Sequence, residues 1–127
     1  MPARALSPGP IEGPLRGTAV SPGIAEAAVA VLRSPDEAER LPTGAVLVAP
    51  ATDPGWTPLF ARAAAVVVEI GGLFSHAATV AREYGLPAVA NVERATDLLR
   101  DGDVVRVDGS TGVVEVISRA PRATGQA

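Results

Sequence analysis

The fold of this 127-residue chain is decided by residues 65–90, which read AVVVEIGGLFSHAATVAREYGLPAVA. A short apolar run ends at two glycines, a helical pattern follows, and a second apolar run begins after Gly85 and Pro87. Short, continuous apolar runs are typical of strands that are buried on both faces. Ser75 begins the predicted helix 75–84, and Gly85 ends it. The stretch therefore predicts a strand, a helix and a second strand that belong to one parallel unit.

Similar signals on both sides of this stretch predict one α/β domain over residues 15–117. The predicted strands are 17–20, 24–32, 45–49, 65–70, 87–92, 104–107 and 113–117, and the predicted helices or helical turns are 35–41, 53–63, 75–84 and 95–99. Asp53 is the expected N-cap of helix 53–63, and Pro54 lies in its first turn. We expect a partly parallel central sheet. The Pro- and Gly-rich residues 1–14 predict a flexible arm, and residues 118–127 predict a polar tail.

The composition excludes several classes of function. The formal net charge is −3 without a basic stripe, so we expect no nucleic-acid partner. The apolar runs are too short to span a bilayer, and Pro2, Pro8 and Pro10 are unlike a signal peptide, so we expect a cytoplasmic protein. The chain has no Lys, which excludes a P-loop lysine and a Schiff base. With one His and no Cys, we expect no metal site.

The start of helix 75–84 has the features of a phosphate site. Gly71 and Gly72 allow backbone to approach an anion and can adopt positive φ. A helix start supplies unpaired N–H groups and the positive end of the helix dipole. Ser75 can cap the helix or donate a hydrogen bond to a phosphoryl oxygen. His76 is the candidate nucleophile, and the helix start favours the neutral ring that attack requires.

The alternative for this histidine is a purely structural role. The apolar positions of the helix lie at i, i+3, i+4 and i+7, which marks its buried face, and they are Ala77, Val80, Ala81 and Tyr84. His76 is outside this set and shares a face with Thr79 and Glu83. The pattern favours an accessible ring, although it does not itself indicate phosphorylation.

Three further residues are candidates for supporting roles. Thr52 and Asp53 follow a strand and open a helix, at the sheet edge where active sites of parallel sheets lie. They can hydrogen-bond near the histidine or act as a helix cap. Arg82 can contact a phosphoryl oxygen or form an ion pair with Glu69 or Asp108, and we expect the ion pair.

Four tracts together resemble the mobile, or swivelling, phosphohistidine domain of phosphoenolpyruvate (PEP)-utilising enzymes. The tracts are residues 71–89, 17–26, 46–60 and 101–112. The resemblance implies a swivelling β/β/α fold of three layers and assigns the phosphorylated histidine to His76. In PEP synthase and pyruvate phosphate dikinase an ATP-grasp domain charges this histidine and a barrel domain transfers the group to pyruvate. Rifampin phosphotransferases use the same carrier with an antibiotic-binding domain.

The resemblance also implies what the domain lacks. The domain itself binds no cofactor, and ATP with Mg²⁺ is expected on the partner. Phe74 stands where the dikinases have a regulatory Thr, and Asn91 stands where Gly is frequent.

Three hypotheses for the function remain open after the sequence is read. The first is a stand-alone phosphoryl carrier, a phosphotransferase component that is incomplete without an ATP-grasp partner and a PEP-, pyruvate- or acceptor-binding partner. The second is a non-catalytic regulatory or anion-binding docking module of the same fold. The third is a fragment of a larger synthase.

Overall fold

The structure, a computed structural model, describes residues 13–120. Its strands are β1 (Leu15–Arg16), β2 (Thr18–Ser21), β3 (Ile24–Val31), β4 (Val46–Ala49), β5 (Ala65–Val68), β6 (Ala88–Ala90), β7 (Val104–Asp108) and β8 (Val113–Ser118). The α-helices are α1 (Thr57–Phe60), α2 (His76–Tyr84) and α3 (Ala95–Leu98), and two 3-10 helices cover Pro35–Arg40 and Pro54–Trp56. The predicted arm 1–14 and tail 118–127 lie almost entirely outside the described residues.

All eight strands form one sheet in the order β1-β8-β7-β3-β4-β5-β6-β2. Its centre is parallel, because β3 pairs with β4, β4 with β5, and β5 with β6 in the same direction. The outer strands pair antiparallel, with β2 on β6 at one side and β7, β8 and β1 at the other. The expected α/β domain with a partly parallel sheet is therefore confirmed.

The sheet curls until its two edges meet. Strands β1 and β2 lie at opposite ends of the strand order, yet only Gly17 separates them in the chain. The amide of Gly17 donates to the carbonyl of Gly112 at 2.8 Å, beside the start of β8. The amide of Gly109 donates to the carbonyl of Gly23 at 2.7 Å and thereby extends the β3–β7 pairing to the turn that packs on β2. A methyl group at Gly109 would overlap the carbonyl oxygen of Ser21, so only glycine fits where the edges meet. We call this meeting line, at residues 17, 21, 23, 109 and 112, the seam.

Two apolar clusters on opposite faces of the central strands define three layers. One cluster lies between β4–β6 and the β7–β8 layer, and it contains Val29, Val46, Val48, Ala65, Val67, Val89, Val105, Val107 and Val114. The other lies between the same strands and the helices, and it contains Leu47, Ala49, Trp56, Leu59, Phe60, Val66, Val68, Ala77, Val80 and Ala81. The small Val and Ala side chains that dominate the sequence thus fill both interfaces. The arrangement is β/β/α.

The helix predicted over residues 53–63 is shorter and divided. Asp53 caps it as expected, because its Oδ1 accepts from the amide of Gly55 at 2.9 Å. A 3-10 turn follows and becomes α1 at Thr57, whose amide bonds to the carbonyl of Pro54. Pro58 has no N–H for an α-helical bond to that carbonyl, which explains the change of helix type. The predicted strand 17–20 was likewise wrong in its extent, since Gly17 separates two short strands.

Candidate phosphohistidine site

The candidate site lies at the carboxyl ends of the parallel strands β4 and β5. The loop after β4 carries Thr52 and Asp53, and the loop after β5 carries the two glycines and Ser75. Because β4 and β5 are hydrogen-bonded neighbours, both loops leave the same edge of the sheet. The sheet therefore brings together residues that are 18 to 23 positions apart in the chain.

His76 is the first residue of α2, and its ring is held on three sides. Its Nδ1 lies 2.8 Å from the hydroxyl of Thr52, and its Nε2 lies 3.1 Å from the hydroxyl of Thr57. The buried ring of Phe60 meets it edge-on, with 5.5 Å between ring centroids and an interplanar angle of 85°. The histidine is half-buried, so the ring is less open than the helical pattern predicted.

Ser75 is the N-cap of α2, as the sequence predicted. Its hydroxyl accepts from the amide of Ala78 at 3.3 Å and donates to the carbonyl of Gly72 at 2.8 Å. These bonds fix the loop that leads into the helix.

Several backbone N–H groups of this loop and helix start have no hydrogen-bond partner within residues 13–120, and they belong to Gly72, Leu73, Phe74, His76 and Ala77. Unpaired N–H groups at a helix start can bind an anion.

The two glycines occupy different surroundings. Gly71 is held by its amide, which donates to Oδ1 of Asn91 at 3.1 Å, and a methyl group there would meet the hydroxyl of Ser75 at 3.2 Å. Gly72 is exposed and faces open space. Neither adopts positive φ, so the conformational freedom expected of them is not used. Asn91 itself has φ 58°, which agrees with its place at a position where glycine is frequent.

The ion pair expected for Arg82 is not formed. Its guanidinium donates instead to two carbonyl oxygens, that of Val20 on β2 at 2.9 Å and that of Leu73 at 2.8 Å. Glu69 accepts from Thr96, and Asp108 accepts from the turn that follows it. Both carboxylates therefore accept from other groups, and the two bonds of Arg82 tie the loop after β5 to the edge strand β2.

Thr57 and Phe60 belong to the site, although the sequence analysis did not assign them to it. Thr57 lies five residues after Thr52, within the predicted helix 53–63 and within a tract noted for its family resemblance, and neither observation assigned it to the site. A contact between α1 and the start of α2 depends on the packing of both helices and leaves no local pattern in the sequence.

Next to the site, Ile70, Leu73 and Phe74 are exposed, and Phe74 is 93% accessible.

No group of three metal-ligating side chains that could hold a metal ion occurs within residues 13–120. In the same part of the chain, every helix is too short or too polar to cross a membrane.

Comparison with known families identifies this arrangement. Residues 41–112, more than half of the chain, match the family described as "PEP-utilising enzyme, mobile domain". The chain belongs to this family. The matched range contains the candidate histidine, both threonines and the loop after β5.

Several curated relatives of this mobile domain are phosphotransferases by name, and others are synthases. A rifampicin phosphotransferase from Streptomyces sp. is 50% identical over 107 residues, and the "uncharacterized phosphotransferase YvkC" of Bacillus subtilis is 47% identical over 109 residues. The phosphoenolpyruvate synthase of Aeropyrum pernix is 48% identical over 101 residues. These alignments cover 79–86% of the chain but only 12–13% of each relative. The chain therefore spans about an eighth of the length of the relatives it matches.

Solved structures support the fold of the mobile domain. A solution structure of Enzyme I (nEIt) has a TM-score of 0.52 at 32% identity, with 58% of this chain and 31% of that chain covered. The aconitase X structure from Thermococcus kodakaraensis has a TM-score of 0.61 at 22% identity, with 87% of this chain and 100% of that chain covered. At that identity the second similarity concerns the fold alone.

Proposed function

We propose that this mobile domain is a phosphoryl carrier that accepts a phosphoryl group on His76 and passes it to an acceptor. The observation that supports this most is the position of the ring at the first residue of α2, beside a loop and helix start with unpaired N–H groups. Such N–H groups and the helix dipole favour the negative charge that the phosphoryl group brings. The carrier would comprise residues 15–117.

The proposed chemistry is nucleophilic attack by one ring nitrogen on phosphorus. An N–P bond forms, the bond from phosphorus to the donor oxygen breaks, and its electron pair leaves with that oxygen. The second ring nitrogen keeps its proton throughout, and its N–H donates a hydrogen bond to a threonine hydroxyl. The reverse step, with an acceptor oxygen as nucleophile, returns the ring to its free state. Splitting one transfer into two in this way is the general advantage of covalent catalysis.

The proposed donor is an ATP-grasp or PEP-dependent partner, and the acceptor is held by a PEP-, pyruvate- or other acceptor-binding partner. ATP and Mg²⁺ would be bound by the donor partner, with no cofactor on this domain. The relatives are about eight times as long as the matched segment, so the partners can lie on the same polypeptide or on separate chains. We place the exchange in the cytoplasm, where ATP is supplied.

Intact-mass spectrometry tests the carrier function directly. The full chain is incubated with its ATP-grasp partner and Mg-ATP, and we expect one acid-labile phosphoryl adduct per chain. His76→Asn should remove the adduct, whereas Thr79→Ala, which changes an exposed residue on the same helix, should keep it. An adduct that persists in His76→Asn, or no adduct on the unaltered chain, contradicts the proposal.

A non-catalytic, anion-binding docking module is the second candidate. The observation in its favour is that the ring is half-buried with both nitrogens hydrogen-bonded, as in a structural histidine. In that case His76→Asn would leave the biological role of the protein intact. Loss of that role in His76→Asn, in a variant that melts as the unaltered protein does, would exclude this candidate.

A further inference from the structure

A cleft with three arginines lies at the carboxyl end of β3, apart from the candidate phosphohistidine site. It has a volume of about 220 Å³, and its walls come from the end of β3, the 3-10 helix that follows this strand, and residues 96–101. The arginines are Arg33, Arg40 and Arg100. The side chains that contact His76 do not line this cleft, so it is a separate place on the domain.

The two carboxylates that line the cleft are both engaged. Asp101 accepts from the amide of Val31 at 2.7 Å and from the guanidinium of Arg40 at 2.6 Å. Glu37 accepts from the amide of Arg33 at 2.8 Å and lies 3.4 Å from the guanidinium of Arg40. Both carboxylates are therefore held in place by backbone amides, and both share Arg40 as their counter-ion.

The side chain of Arg33 is engaged as well. Its guanidinium donates to the hydroxyl of Thr96 at 3.1 Å and to the carbonyl oxygen of Thr96 at 3.2 Å. It also lies 3.5 Å from the carboxylate of Asp97, which in turn lies 3.8 Å from the guanidinium of Arg94. Arg94 and Asp97 contribute one charge of each sign, so they leave the charge balance of the cleft unchanged.

Arg100 is the arginine of the cleft that has no counter-ion. Within residues 13–120 its guanidinium makes no hydrogen bond or ion pair, and its Nε is enclosed by protein atoms. Its backbone is fixed, because its amide donates at 2.9 Å to the buried carboxylate of Asp103, which forms its own ion pair with Arg119 at 3.5 Å. A charged group that is partly removed from water without a partner is unfavourable, and an anion in the cleft would supply the missing acceptor.

We propose that this cleft binds a small monocarboxylate through the guanidinium of Arg100. Its lining holds three arginines and two carboxylates, which leaves one positive charge in excess. A carboxylate carries one negative charge, whereas a phosphate monoester carries about 1.5–2 near pH 7. The planar guanidinium fits a carboxylate with two parallel N–H···O bonds.

The size and the apolar part of the cleft limit the ligand further. The volume is below the ~300–1,000 Å³ of sites for drug-sized molecules, so the ligand has only a few carbon atoms. Val31 and Leu99 provide an apolar wall that can contact a short alkyl group. A short-chain carboxylate such as butyrate combines the required charge, size and apolar end.

Nitrogen-15 NMR of the full chain tests the proposal, with sodium butyrate as the probe. Butyrate replaces chloride stepwise at constant ionic strength, so that general screening does not change. We expect a saturable shift of the Nε–H resonance of Arg100 and of the backbone amides of residues 96–102, while the amides of residues 72–77 stay in place. The absence of a saturable shift overturns the inference, and so does a shift of residues 72–77 instead, which would place the anion at the start of α2.

Substitutions of two neighbouring arginines identify the group that binds. Arg100→Gln removes the charge, and we expect the affinity for butyrate to fall about tenfold or more, because charge-assisted hydrogen bonds are lost. Arg94→Gln is the matched control, since it makes the same change at an exposed arginine outside the lining, and it should leave the affinity unchanged. Arg100→Lys keeps the charge without the planar group and should weaken binding less; it provides the measurement if the glutamine variant does not fold. Butyrate affinity that is unaltered in both Arg100 variants overturns the inference.

Ethyl phosphate, a probe of similar size, tests the charge of the ligand. We expect it to bind the cleft more weakly than butyrate does, because Glu37 and Asp101 repel the additional negative charge. Binding of ethyl phosphate to residues 96–102 that equals or exceeds that of butyrate would overturn the assignment to monocarboxylates. The titrations involve no phosphoryl transfer, so their outcome is independent of the carrier function proposed for His76.

Discussion

Replacing Gly109 by alanine should strongly destabilise the domain. The new methyl would overlap the carbonyl oxygen of Ser21 and lie 2.8 Å from the amide nitrogen of Ala88. Both neighbours are backbone atoms of paired strands, so neither can rotate away as a flexible side chain would. The seam must therefore open for the methyl group to fit.

The magnitude follows from two contributions. Overpacking of a tightly packed interior costs ~1–3 kcal/mol, and contact with fixed backbone places this site toward the upper end. Opening the seam also weakens the bond from the amide of Gly109 to the carbonyl of Gly23, worth ~1 kcal/mol. We expect a loss of about 3 kcal/mol, which for a domain of this size lowers Tm by roughly 12 °C.

Thermal unfolding followed by far-ultraviolet circular dichroism measures this loss. Gly72→Ala is the matched control, since a methyl group there meets nothing within 4 Å, and its Tm should stay within about 2 °C of the unaltered chain. If Gly109→Ala melts as the control does, the turn between β7 and β8 does not pack on β2 in solution and the reasoning about the seam is refuted.

Three further substitutions test contacts around the site. Arg82→Lys cannot keep both bonds to the carbonyls of Val20 and Leu73. We expect the free energy of unfolding, measured by urea denaturation, to fall by about 1 kcal/mol, and amide exchange in residues 71–74 to become faster. Unchanged exchange would show that Arg82 does not hold this loop. Asn91→Ala removes the bonds to Gly71 and Thr18 and places alanine at a positive φ, so we expect the free energy of unfolding to fall by about 2 kcal/mol. Asn91→Gly loses the same bonds without the strain at positive φ and should lower it less. Equal losses in the two variants would argue against backbone strain at this residue. Phe60→Leu should lower the free energy of unfolding by about 1.5 kcal/mol, because Phe60 is fully buried. It should also shift the ring proton resonances of His76 in NMR spectra, because the edge contact between the two rings is lost. Resonances that stay in place would mean that the two rings do not touch.

The sequence predicted the features that have local signals. The buried strands β4 and β5 are continuous apolar runs, and Ser75 and Gly85 mark the ends of α2 by ordinary capping chemistry. The position of His76 at the helix start follows from the same signals. The resemblance of the surrounding tract predicted the family to which the domain belongs.

Contacts between distant segments could not be read in this way. Thr57 reaches His76 because α1 packs beside the start of α2. Arg82 donates to carbonyl oxygens, while Glu69 and Asp108 accept from other groups. The seam brings Gly17 to Gly112 across most of the chain. In each case the partner is chosen by tertiary packing, which residue spacing does not encode.

The pairing of β1 with β8 places the first and last described strands side by side. Leu15 lies opposite Val114 and the two strands run antiparallel, so residues 15 and 118 lie at the same end of the strand pair. A pull on either residue therefore falls first on the hydrogen bonds between β1 and β8. These strands pack on the apolar cluster that lies on the other face of the central strands from α2, so the hydrogen bonds around His76 belong to a different layer.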